Sequence, residues 1–416
     1  MPTLPPRPRA ASVLVVMLGL VLFVLRRVDG VWQPTIWAED GRVFWAAALY
    51  PGFDLLSPYA AQWWLAQRLL VLGVVQLPVV WAPRVMFLAA ALVAVLAAAT
   101  ILQSRSRALF GAYRYQIVAF ALVLLIPVAW EVHGNLTNIQ VWLGVGLLVT
   151  LAIPAPTSRV GRVIELAFVG VAGLTGFLGV LLSPMAVWSV ATAKTTYNTV
   201  RSVLLLAAAC CNLAVWWSAG RAAGEGALAR MLQVPETLLY RWGGGTLFGE
   251  YPLRVVSSGG RFVLMVATVF LLVVLAAAWN DRRGPSPVWL FVASLWAVLA
   301  ILSPTGAVGS RWMFDPQAHW RYFALGVAAC LLVLVRALGT TRVRWPYGLA
   351  LVACVPALTL GARLPGAGPA IPEGDLRAFA ECLHAPGGLC AVDIAPEGWT
   401  VLVLVPERSP THVTSP

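Results

Sequence analysis

Arg84 to Leu102 reads RVMFLAAALVAVLAAATIL, with no charged residue after the opening arginine. A stretch of roughly 20 apolar residues is what a helix needs to cross a bilayer core. Arg105, Arg107 and Arg114 follow it, and clustered arginines mark the cytoplasmic end of a span. Working outward, comparable apolar runs lie near 11–27, 116–130, 140–154, 163–175, 176–192, 201–218, 262–279, 287–303, 321–338 and 344–360. The reading is an all-α polytopic membrane protein with about 11 transmembrane helices and a cytoplasmic N-terminus. Composition agrees: 60% of the 416 residues are hydrophobic, 11% are charged, and the mean hydropathy is +0.82. A soluble chain could not bury that much apolar surface. The runs are continuous rather than alternating, which excludes a transmembrane barrel.

On this topology residues 1–360 form the membrane domain. Its first outside loop covers 28–83 and its second large one 219–261. Gly41 to Tyr50 and Trp63 to Leu77 are apolar but broken by charges and prolines, so they read as interfacial helices. Residues 361–416 form a small extracytoplasmic α+β cap: a helix over Glu373–His384, then short strands over Ala391–Ile394 and Thr400–Val405. The cap is expected to dock on the outside loops through Trp399. Cys382 and Cys390 are spaced for a short disulfide loop in an oxidising compartment.

The net charge of +12 does not point to nucleic acid, because the basic residues are scattered at span ends. Arg26 and Arg27 fall at the outer end of the first span, where they either snorkel to headgroups, the favoured reading, or help hold an anionic ligand. Gly243-Gly244-Gly245 lacks the strand–loop–helix setting of a phosphate loop and reads as a flexible part of 219–261.

The chemistry centres on Trp37-Ala38-Glu39-Asp40-Gly41. Adjacent carboxylates diverge, so Glu39 and Asp40 have separate roles: one a general base, the other orienting a substrate or binding metal. The competing reading is that Asp40 caps the helix that follows. Glu131 to Trp142 is the second polar cluster. Asn135 and Asn138 either bind sugar hydroxyls or satisfy their own loop's backbone. His319-Trp320-Arg321-Tyr322 opens a late span; its His319 and Arg321 either grip a phosphate or anchor the interface. Arg68, Arg254 and Arg311 are further candidate cations.

These landmarks resemble the bacterial GT-C glycosyltransferases, integral-membrane enzymes that take sugars from polyprenyl-phosphate carriers. Members carry an acidic motif in the first outside loop, as Glu39-Asp40 does. Interfacial helices follow with a Pro-Tyr step like Pro58-Tyr59, then an Arg-ended span like 84–107. An actinobacterial-type subgroup is similar at Glu39-Asp40-Gly41, Gly134-Asn135 to Asn138, Gly173-Leu174-Thr175-Gly176, Arg321-Tyr322-Phe323 and Pro396 to Trp399. Its relatives tend to have proline after the Gly-Leu-Thr-Gly step, where Phe177 stands here.

The resemblance implies an inverting glycosyltransferase at the outer face of a bacterial cytoplasmic membrane. The donor is a polyprenyl-phosphate-linked sugar and the acceptor an envelope glycan, lipid or protein. Asp40 and Glu39 are the expected catalytic carboxylates, with Mg²⁺ or Mn²⁺ bound there in some members. Arg321, Arg68 and His319 are expected on the phosphate, with Asn135, Asn138 and Tyr59 at the substrate. The rival reading is a non-catalytic lipid-linked-glycan flippase, which should carry charges near mid-span.

Overall fold

The computed structural model describes residues 9–50, 52–219, 234–249, 252–302, 320–364, 366 and 368–406, without the side chains of 9, 252–260 and 302. The chain is mostly helical, and helices form in every apolar run singled out above. Length is where the expectation fails. Among the described residues only Val79–Leu102, Thr196–Ser218 and Arg261–Asn280 are long and apolar enough to cross a membrane. A fourth is gained if the pair Ser104–Phe110 and Tyr113–Leu124, bent by 88°, counts as one span. Other apolar helices, such as Ile139–Ala152 and Ala324–Thr340, have 10–17 residues. Eleven crossings are therefore not supported. Hydropathy marks where helices form, but Pro127, Thr175 and Pro356 interrupt the apolar runs and shorten the helices.

The chain shuttles between two polar ends. At one end Glu165 accepts hydrogen bonds from Arg105 at 2.6 Å and Arg201 at 2.9 Å, and Asp281 pairs with Arg336 at 2.6 Å. At the other end Arg26 donates to the carbonyls of Leu124, Ile126 and Gly361. Three helix ends from distant parts of the chain are thereby tied together. This corrects the snorkelling expectation. Arg26 is 1% and Arg27 4% exposed, and Arg27 donates to the carbonyls of Trp130 and His133. Orphan carbonyls at helix ends need donors, and a buried guanidinium supplies several at once.

The glycine run at 243–245 is not a loose loop. Leu239–Gly244 forms a π-helical turn that continues into the helix Gly245–Phe248, and all three glycines are buried. A Cβ on Gly243 would lie 2.8 Å from the Ala267 side chain, so glycine here permits close backbone packing rather than freedom.

The cap forms as read: a helix over Glu373–His384, then an antiparallel hairpin of β1, Leu389–Ile394, and β2, Trp399–Leu404. A disulfide joins Cys382 to Cys390. The cap docks on residues 34–50. The Ala38 N–H donates to the Ala395 carbonyl, and the Ala395 N–H donates to Ile36 O at 2.9 Å. Trp45 packs on Phe379, and the Arg42 guanidinium lies 5.6 Å from the centre of the Trp399 ring.

Candidate active site around Asp40

Asp40 begins a π-helical turn, Asp40–Trp45, that runs into the short helix Ala46–Leu49. Its side chain does not cap that helix. Its carboxylate instead reaches the second polar cluster, accepting the Leu136 N–H at 2.7 Å, the Thr137 N–H at 2.6 Å and the Thr137 hydroxyl. Gly41 lets the cap pack closely beside Asp40, because a Cβ there would fall 2.8 Å from Ile394 and Val401. The 131–138 loop thus holds the Asp40 carboxylate, while the cap packs against the neighbouring Gly41.

Asp40 is 2% exposed. Burial raises its pKa from 3.8 to about 7; the bonds from Thr137 and Leu136 oppose that rise, and the charge of Glu39 adds to it. Three of roughly four acceptor positions on the carboxylate are occupied. Asp40 also lines a cavity of about 20 Å³.

The neighbouring loop is rigidly knit. Asn135 and Asn138 both donate to the Glu131 carbonyl, and Asn135 Oδ1 accepts the Asn138 N–H. Their side chains are spent largely on the backbone, although Asn138 Oδ1 has no partner. His133 stacks on Phe23 at 3.7 Å, and its Nε2 donates to the Phe23 carbonyl at 2.8 Å. Burial, with Arg26 and Arg27 nearby, holds its pKa well below the usual value, so this imidazole is neutral.

Glu131 carries the second charge relationship. It accepts the Arg321 guanidinium at 3.1 Å and the Arg321 backbone N–H at 3.1 Å. Burial works against the charge of Arg321, but Glu131, Tyr322 and Glu39 outweigh it and raise its pKa above normal. Glu39, half-buried, therefore lies in the field of Arg321. One end of the molecule gathers Glu39, Asp40, Glu131 and Arg321.

Two expected members have other partners. Arg68, buried on the helix Leu65–Val74, donates to the Asp54 carbonyl at 2.9 Å and lies 5.4 Å from the Phe53 ring centre. Burial lowers its pKa, which Asp54 partly offsets. Tyr59 packs with Phe44 and Trp64. His319 and Arg311 lie outside the described residues, as does the side chain of Arg254. Thr137 and Glu131 are partners that sequence reading did not single out. Both were visible as polar residues in the quoted cluster.

The donor set does not fit a metal held by the protein. Asp40 spends its oxygens on three donors, and among the described residues no group of three or more His, Cys, Asp or Glu side chains could hold an ion. No family model, curated protein or solved structure matches the chain.

Proposed function

We propose that the chain is a membrane glycosyltransferase that moves a sugar, with inversion, from a polyprenyl-phosphate carrier to an envelope glycan, lipid or protein acceptor. The observation that carries this is the meeting of Asp40, whose pKa is about 7, with Glu39 and Arg321 at one end of the fold. A base whose pKa lies near the working pH is best placed to take a proton from an acceptor hydroxyl. Asp40 takes that role, and Glu39 orients the acceptor. Arg321, oriented by Glu131, faces the charge that grows on the departing phosphate. No step needs a metal.

The reaction end is the extracytoplasmic one in this reading. The disulfide of the cap supports that side, since such bonds persist in oxidising compartments. The arginines at the opposite end support a cytoplasmic location for it. Against a flippase stands the placement of two of the paired charges, Asp281–Arg336 and Glu131–Arg321, at or beyond helix ends; the third, Glu165–Arg201, includes a glutamate midway along Arg159–Gly173.

The test is sugar transfer from a polyprenyl-phosphate donor by purified protein. Asp40→Asn is expected to abolish transfer and Glu39→Gln to reduce it. Full activity in the double variant overturns the assignment.

A further inference from the structure

The cavity beside Asp40 has a neighbour. Asp29 lines the 20 Å³ cavity, and it also lines a second pocket of about 250 Å³. The walls of that second pocket include the exposed Gln33, Arg363, Gly366 and Gly368. The Asp29 carboxylate faces this side: its Oδ2 lies 3.0 Å from where a Cβ on Gly366 would sit. One acidic side chain therefore borders both the small space at Asp40 and the larger pocket beside it.

The small space suits a single water. A water needs roughly 10–15 Å³ of such volume and two to four polar partners. Trp37, 8% exposed, lines the cavity, and its indole Nε1–H has no partner in the protein. Thr35 lines it too, and its buried hydroxyl is likewise unpartnered. The Asp40 carboxylate completes the set. A buried indole N–H without an acceptor costs on the order of 1–3 kcal/mol, which an ordered water would recover.

We infer that this cavity holds one ordered water bridging Trp37 and Asp40, and that protons leave Asp40 through it to Asp29 and the open pocket. The use of that path in catalysis rests on Asp40 being the base of the reaction proposed above. Each turnover places one proton on Asp40 as the acceptor oxygen bonds to the sugar and the sugar–phosphate bond breaks. The Asp40 acid gives its proton to the water, the water gives one to the Asp29 carboxylate, and Asp29 releases it to solvent. Asp40 returns as carboxylate, and no other reactant is consumed. The route also explains how a side chain only 2% exposed exchanges protons at all. The charged residues lining the two spaces are Arg26, Arg27, Asp29, Asp40 and Arg363.

The test uses full-length protein in detergent and time-resolved infrared spectroscopy. The carboxylic acid C=O band of Asp40 is identified by its loss in Asp40→Asn. Its decay is followed after a jump from about pH 5 to about pH 8, which spans the titration of a carboxyl near neutrality. Asp29→Asn is expected to slow the decay by roughly tenfold or more, and added imidazole to restore it. Trp37→Phe, which removes the indole donor to the water, is expected to slow it as well. A decay unchanged by Asp29→Asn overturns the relay. Should that variant not fold, a decay unchanged by Trp37→Phe overturns the water bridge. Sugar transfer is measured separately: its absence, with both slowed decays observed, counts against the enzymatic reading and leaves the proton path standing.

Discussion

Asp40 and Thr137 are 97 positions apart, and the carboxylate of the first accepts both the backbone N–H and the hydroxyl of the second. This contact joins the first loop to the 131–138 loop and opposes the rise that burial imposes on the Asp40 pKa. The Thr137 hydroxyl stabilises the ionised form, so Thr137→Val should raise the Asp40 pKa above about 7. The acid limb of the transfer pH profile is expected to move to higher pH. A limb that stays in place removes Asp40 as the titrating base.

The same shift makes stability depend on pH. The folded protein holds Asp40 at about 7 against 3.8 for an unperturbed carboxyl, so folding favours the protonated acid. Its contribution is fully present below pH 3.8 and is lost as pH rises through about 7. Thermal unfolding in detergent across that window should show a falling midpoint for the wild type. In Asp40→Asn this component of the fall should be missing.

Arg321 and Glu131 predict a graded pair of effects on turnover. Removing a donor aimed at developing negative charge costs about 10²–10³ in kcat, and Arg321→Met is expected to fall in that range at saturating donor. Glu131→Gln keeps the cation but loosens its orientation, so a smaller loss should follow. Equal losses would mean that the pair acts as a structural tie.

Arg26 should matter for folding more than for chemistry. Its guanidinium serves three carbonyls, and charge-assisted bonds are each worth about 1.5–3 kcal/mol. Arg26→Met is expected to cost about 3 kcal/mol or more in detergent unfolding. Arg26→Lys should not restore it, because one ammonium cannot span the planar fork of acceptors.

The cap offers a redox-linked test. Closing a loop with a sequence separation of 8 residues contributes about 2–3 kcal/mol in the chain-entropy model. Cys390→Ser should therefore raise amide exchange over β1 and β2. Transfer should fall with it, because Ala395 holds Ala38 one residue from Glu39.

The legible parts of this protein were those written in local pattern. Apolar runs marked helices, and the cap helix lies over Glu373–His384 as read. The strands fell within two residues of their expected bounds, and the spacing of Cys382 and Cys390 was that of the observed disulfide. Glu39 and Asp40 stood out because carboxylates beside long apolar runs are costly. The number of crossings was not legible in the same way. Hydropathy averages over a run, whereas one proline or buried polar turn ends a helix early.

Sequence alone determined that this chain makes apolar helices with its polar groups at their ends, because backbone hydrogen bonding and side-chain hydrophobicity act over a few neighbouring residues. Only the tertiary structure decided which polar group meets which. Asp40 finds Thr137 rather than its own helix, Arg26 turns inward to Gly361 rather than out to headgroups, and Ala395 bonds beside Glu39. Those choices are made when buried donors and acceptors from distant segments must satisfy one another away from water, a condition that no local window of residues contains.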